Sequence, residues 1–195
     1  MLINKMTIHM LSQDEKKFLL NLARNAISLA VKGQTRLTID LAGLSEPLKS
    51  NGAAFVTLMQ KKQLRGCVGA LEAYQPLVFD VRDHAIAAAL EDYRFPPVTT
   101  GELASILIEI SQLTHPQPLE YTDSISLIDL LRPGIDGVIL TDGIHRATFL
   151  PQVWEQLPNP EDFLGHLCHK MGVNPDTWQN KHLAVSIYQV EEFHE

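Results

Sequence analysis

Apolar residues at Phe18, Leu19, Leu22, Ala23, Ala26, Ile27 and Ala30 recur at the three-and-four spacing of one helix face. Ser12-Gln13-Asp14-Glu15 is a capping box ahead of them and Gly33 a stop behind them, so the pattern predicts an opening amphipathic helix. Residues 36–52 carry the turn formers Asp40, Gly43, Ser45, Pro47, Asn51 and Gly52 and predict a loop or short elements. The period then changes. Residues 53–59 and 64–70 are short apolar runs separated by Gln60-Lys61-Lys62-Gln63, which predicts a β-hairpin. Pro76 suits the first position of a helix whose stripe of Leu77, Val81, Ala85, Ala88 and Ala89 runs to about Asp92. Arg94-Phe95-Pro96-Pro97 cannot extend that helix, because proline donates no hydrogen bond and forces its predecessor into extended geometry.

Thr99 and Glu102 predict a second capping box over a single helical turn, followed by a strand at 105–113 with Ile106, Ile108 and Ile110 on one face. A short helix is predicted at 124–131, ended by Arg132-Pro133-Gly134. A second hairpin follows, with runs at 138–140 and 144–150 flanking Asp142-Gly143, a dipeptide that favours the type I′ turn. Asn159-Pro160 starts a helix through Phe163, Leu164, Leu167 and Met171 that stops at Gly172, and residues 183–190 alternate as a last strand. Strands come in hairpins with helices between them, which predicts an α+β class: a mainly antiparallel sheet with packed helices, in one compact domain over residues 1–195.

Composition narrows the setting. The 16 Lys and Arg against 23 Asp and Glu give 16 − 23 = −7, and 45% hydrophobic with 20% charged residues is ordinary for a globular chain. An acidic chain lacks the clustered cations of a non-specific nucleic-acid or anionic-membrane binder, so neither partner is expected. Asn4, Lys5 and His9 interrupt the N-terminal apolar residues, no run approaches the ~20 residues of a membrane helix, and Cys67 and Cys168 are too few for a disulfide framework. The expected location is cytoplasmic.

The chemistry concentrates in Leu64-Arg65-Gly66-Cys67-Val68-Gly69, the LRGCVG motif. Strict alternation would turn Leu64, Gly66, Val68 and Ala70 inward and place Arg65, Cys67 and Gly69 on the other face. Arg65 and Cys67 would then lie about 7 Å apart, close enough for a guanidinium to favour a thiolate. Two glycines within one strand mark a bulge or a close approach of ligand or backbone. Cys67 is thus a candidate nucleophile with Arg65 beside it, and Gly66 and Gly69 are candidate substrate contacts; the competing reading is a small core cysteine under a helix.

The motif resembles the signature of the AMMECR-one domain family, called AmmeMemoRadiSam system protein A in prokaryotes. The resemblance extends to Phe55-Val56-Thr57-Leu58 upstream, to Ala88-Ala89, Asp92-Tyr93-Arg94-Phe95-Pro96-Pro97 and Glu102-Leu103 downstream, and then to Ser111-Gln112-Leu113-Thr114, Pro133-Gly134-Ile135-Asp136-Gly137, Phe149-Leu150-Pro151-Gln152-Val153, Lys170-Met171-Gly172 and Trp178. It covers about residues 15–190, with Val68 where isoleucine is usual. It implies an α+β fold with a smaller lobe and a cleft, and association with a Memo-like protein and a radical SAM protein in a modification pathway. It implies no settled activity.

Other candidates are weaker. Asp92 and Arg94 can tie the connector, Glu102 can complete its cap, and Arg94 and Glu102 are the further candidate substrate contacts. His166 and His169 share a helix face at a spacing open to a metal, but lack a second ligand pair, so no metal is expected. His84, His115 and His145 are candidate bases for Cys67. No phosphate loop, H-E-x-x-H or G-x-S-x-G is present, and no cofactor is expected. Two functions follow: an enzyme or enzyme component acting through Cys67, or a binding module with Cys67 inert. Hairpin edges also leave room for a homodimer.

Overall fold

The computed structural model describes residues 10–35 and 37–195; Arg36 and residues 1–9, including Asn4, Lys5 and His9, lie outside the described residues. The chain divides into two compact units, Met1–Thr114 with Glu191–Glu195, and His115–Val190. Among the described residues no helix is long and apolar enough to cross a membrane.

In the first unit, α1 spans Gln13–Val31 and is capped as its sequence requires. The Ser12 hydroxyl accepts from the Glu15 N–H, and the Glu15 carboxylate accepts from the Ser12 N–H at 2.7 Å. The punctuated stretch after it contains one helical turn, α2 (Glu46–Lys49). Strands β1 (Asn51–Gln60) and β2 (Gln63–Gly69) form the expected hairpin, and β3 (Gln75–Pro76) pairs with the start of β1. Helix α3 spans Leu77–Leu90, so Pro76 is its N-cap rather than its first helical residue; its ψ of 136° keeps it extended in β3. Residues 99–105 form turns rather than a helix, and β4 spans Ile106–Leu113.

The second unit contains β5 (Gln117–Pro118), α4 (Ser124–Leu130), β6 (Gly137–Asp142), β7 (His145–Phe149), a 3-10 turn at Pro151–Glu155, α5 (Pro160–Met171), α6 (Thr177–Asn180) and β8 (Ala184–Tyr188). Its sheet runs β5-β8-β6-β7. The Asn159 side chain caps α5 and Gly172 ends it at φ 83°. Trp154 stacks on Phe163 with ring centroids 3.7 Å apart, at the centre of a core completed by Leu140, Leu164, Leu167 and Cys168. The β6-β7 pairing of Asp142 with His145 leaves Gly143 and Ile144 as the loop, with φ positive at Gly143 only. That is the II′ pattern, one residue further on than a turn centred on Asp142-Gly143.

The terminal alternation is two strands instead of one. After β8 the chain re-enters the first sheet as β9 (Val190–His194), giving the order β2-β1-β4-β9. On one face of this sheet, α1 and α3 pack over Ala54, Val56 and Leu58 of β1 and Ile106, Ile108 and Ile110 of β4. Period-two geometry sends Phe55, Thr57, Met59, Leu107, Glu109 and Ser111 to the opposite face.

The β1-β2 turn is Lys61-Lys62 with φ of 51° and 64°. Positive φ at both central residues matches the twist of the strands but is costly for residues bearing a Cβ. Replacing the pair by Asn-Gly should raise stability by about 1 kcal/mol, read as a higher denaturant midpoint at constant m-value. An unchanged midpoint would show that the lysines carry no strain.

Candidate functional site

β2 is the edge of its sheet, and an edge strand presents unpaired backbone groups along its outer side. At Cys67 those groups are occupied. Its N–H donates to Asp92 Oδ2 at 2.8 Å, and its carbonyl accepts from Arg94 Nη2 at 3.0 Å. Arg94 also donates to Asp92 through Nε at 2.9 Å and Nη2 at 2.7 Å, so one carboxylate and one guanidinium grip both backbone groups of the same residue. Because Cys67 turns its N–H and C=O outward, it forms a non-hydrogen-bonded pair with Thr57, in which side chains lie closest. The Thr57 hydroxyl donates to Cys67 Sγ at 3.2 Å.

Asp92 is buried just beyond the end of α3. The Arg94 guanidinium, aided by the Cys67 N–H and opposed by burial, holds its carboxyl well below the usual carboxylate range. Asp92 in turn is the main reason the Arg94 pKa is raised, with Cys67 among the smaller causes. Arg94 is therefore a cation within electrostatic reach of the thiol.

Arg65 is placed differently from expectation. The β1-β2 register passes from Leu58↔Gly66 to Met59↔Leu64, so Arg65 is the extra residue of a β-bulge. Its guanidinium turns to Glu102, donating from Nε at 2.8 Å and Nη2 at 3.3 Å. Glu102 also accepts from the Thr99 N–H and hydroxyl, which is half of the capping box read from the sequence, since the Glu102 N–H goes to the Thr99 carbonyl and no helix follows. Arg65 first, and Thr99 after it, push the Glu102 carboxyl down to about 2. The bulge also reverses the face of Leu64, which is 41% exposed opposite Met59 rather than inward beside Gly66.

Both glycines are explained by packing. A Cβ on Gly66 would collide with the Ala88 carbonyl oxygen of α3, and one on Gly69 with the ring and backbone of Phe55. The space assigned to a substrate at these positions is filled by the protein itself. Gly66 and Val68 do face the helices, while Cys67 is half-buried on the other side. Cys67 is thus neither a core thiol nor a fully exposed one.

Of the candidate bases, His84 alone shares a unit with this thiol, and its ring is engaged elsewhere. His84 lies on α3, its Nδ1 3.1 Å from Oδ2 of buried Asp80, and the same oxygen accepts from the Ala54 N–H at 2.9 Å. His115 and His145 belong to the second unit. There Cys168 is buried and burial raises its pKa, while His166 approaches the Asp162 carbonyl at 2.8 Å. Among the described residues no group of three or more His, Cys, Asp or Glu is arranged to hold a metal ion.

Two site features escaped sequence reasoning. Thr57 was visible only as part of an apolar strand, and its role needs the hairpin register. Glu109 pairs in register with Thr57 from β4, and its carboxyl is raised by burial and by Glu192 of β9. Both depend on neighbours distant along the chain.

The two antiparallel sheets with packed helices and the gripped LRGCVG strand define an α+β protein of one recognisable kind. A family model described as AMMECR1 matches residues 20–193, and the chain belongs to that family. It is 38% identical to a protein of Methanothermobacter thermautotrophicus over 95% of this chain and 96% of that one. A protein of Thermofilum pendens is 34% identical over 94% of this chain and 91% of its own length. Among solved structures it is similar to uncharacterized protein PH0010 from Pyrococcus horikoshii, with a TM-score of 0.75 and 31% identity over 95% of this chain and 93% of that chain.

Two outcomes are expected. Gly66→Val should destabilise by about 3 kcal/mol, because the obstacle is helix backbone that cannot move aside, whereas Cys67→Ser should stay within about 0.5 kcal/mol. Denaturant midpoints for both variants check this, and the reverse order would put Cys67 in the core. The second concerns acid. A carboxyl lowered from 4.5 to about 2 contributes stability above pH 4.5 that is lost as pH falls toward 2. Glu102→Gln should therefore be less stable than the parent near pH 6, with the difference closing by about pH 2; midpoints that run parallel would show that the Arg65 pair contributes nothing.

Proposed function

We propose that this chain is a thiol-dependent enzyme or enzyme component in a modification pathway, with Cys67 as its reacting group. The supporting observation is the holding of one half-buried cysteine at three points: backbone N–H by Asp92, backbone carbonyl by Arg94, sulfur by Thr57. The two backbone contacts also satisfy an edge strand, and the Thr57 contact to the sulfur is the one that packing alone does not need. Reacting groups are held by partners that are themselves fixed, and Asp92 and Arg94 fix one another. Arg94, 43% exposed at its side chain, remains available to an anionic group brought to the thiol. Arg65 and Glu102 act at one remove, by fixing the bulge that sets the strand's approach.

The pathway and its partners, a Memo-like protein and a radical SAM protein, come from the family resemblance. Two unpaired cysteines suit a reducing cytoplasm.

A second reading has its own support. Leu64, Met59 and Leu107 are in register across β2, β1 and β4, with Leu64 41% and Leu107 58% exposed, and Tyr93 beside the clamp is 94% exposed. Apolar side chains in a row suit a binding module whose strand meets a partner protein or peptide.

Alkylation of the native protein with iodoacetamide, followed by mass mapping, separates the two. Cys67 should react at least about tenfold faster than Cys168, and faster than free cysteine at the same pH. Reaction of Cys67 only after unfolding would overturn the enzyme reading and leave the binding module.

A further inference from the structure

The sheet face away from the helices carries one polar row. Cys67 of β2 is in register with Thr57 of β1, and Thr57 with Glu109 of β4. Glu192, on neighbouring β9, lies within hydrogen-bonding reach of Glu109, and His194 is near enough to act on Glu109 electrostatically. Thr57 and Glu109 are half-buried like Cys67, whereas Glu192 and His194 are exposed. Above this row along the strands lie Gly69, Phe55 and Ser111, and below it the apolar Leu64, Met59 and Leu107.

We propose that Glu109 is the proton donor and acceptor of the Cys67 site, serving a substrate that lies over Thr57 between the thiol and the carboxyl. The inference rests on the reading of Cys67 as the reacting group and adds the residue that would move the proton.

Three observations carry it. Strands about 4.8 Å apart put the Cys67 and Glu109 backbones about 10 Å from each other on one face of the sheet, with Thr57 between them. Like charges close together on adjacent strands destabilise a sheet, so Glu192 disfavours a charge on Glu109. Burial first, and Glu192 after it, raise the Glu109 carboxyl, and a carboxyl that holds its proton to higher pH is suited to donate to a leaving or accepting atom and take the proton back. The groups facing Glu109 are Glu192 and His194 from β9 and Thr57 from β1, with Cys67 beyond Thr57. His194 favours the carboxylate, while burial and Glu192 oppose it more strongly.

The test uses the full chain with carbon-13-labelled glutamate, the Glu109 carboxyl resonance being assigned by its loss in Glu109→Gln. Its titration midpoint should lie above that of exposed glutamates, and in Cys67→Asp it should rise by a further 0.3–0.7 pH units, about what a new charge across this distance supplies. In a parallel series the rate of Cys67 alkylation by iodoacetamide is followed against pH. The parent should show two inflections, one from the thiol and one from Glu109, and Glu109→Gln only one, with rates differing about two- to fivefold between them on the alkaline side. A Glu109 midpoint that ignores Cys67→Asp overturns the inference, whatever the alkylation series shows. Identical alkylation profiles for a reactive Cys67 overturn it while leaving the nucleophile reading intact. A Cys67 inert in the native parent overturns the nucleophile reading and this inference with it, even where Glu109 responds to Cys67→Asp.

Discussion

The Asp92 carboxylate is the group on which the arrangement around Cys67 depends. It sits where α3 has just ended, takes the Cys67 N–H from the sheet edge, and takes the Arg94 guanidinium that closes on the Cys67 carbonyl. Both oxygens of this buried carboxylate are used, Oδ1 by Arg94 and Oδ2 by Arg94 and the Cys67 N–H, which offsets the cost of burying its charge. The same bonds satisfy the backbone of an edge strand that would otherwise be open to pairing with another chain. The connector gains its shape from the same point: the Phe95 N–H reaches the Asp92 carbonyl at 3.0 Å and the Val98 N–H returns to Ala89 of α3 at 2.8 Å. Proline at 96 and 97 then fixes the turn away from the helix.

The two faces of the first sheet follow from this geometry. On one, α3 lies so close to β2 that Gly66 has no room for a side chain, and the Asp80 carboxylate ties the helix to the Ala54 N–H. On the other, register alone brings together side chains from four strands. β9 is held there by its own polar contacts, the Glu195 N–H to the Ile108 carbonyl at 3.2 Å and the Glu191 carboxylate to Lys16 at 2.5 Å and to the Leu11 N–H at 3.0 Å. The return of the C-terminus to the first sheet is thus what places Glu192 beside Glu109.

Much of this was legible locally. The capping box at Ser12, the Asn159 cap, the α3 stripe, the Ile106-Ile108-Ile110 face and the close approach at Gly66 all follow from spacing, because each depends on residues a few positions apart. The failures share a different origin. A single bulge at Arg65 changes the alternation on which Leu64 was assigned, and the two glycines that signal a bulge do not say which residue is the extra one. The loop at Gly143-Ile144 depends on which pair closes the ladder, and Asp142↔His145 is a pairing choice. The terminal strand divides at Gln189 because its halves serve different sheets. Arg94, rather than Arg65, reaches the motif because a connector folds back on an edge, which local periodicity cannot express.

A polar row and an apolar row run side by side on the same face, and they make different demands. Leu64, Met59 and Leu107 would serve any partner that covers them, and apolar surface of this kind is indifferent to chemistry. The row of Cys67, Thr57 and Glu109 is not indifferent. It keeps a thiol at a half-buried strand position with its backbone clamped on the far side, and it keeps a carboxyl against another carboxyl where an uncharged residue would stabilise the sheet. Arrangements that forgo stability at specific titratable groups cluster at functional sites. The reaction proposed at Cys67 would use the thiol and the opposed carboxyls together, with the adjoining apolar row left to hold whatever carries the reacting group.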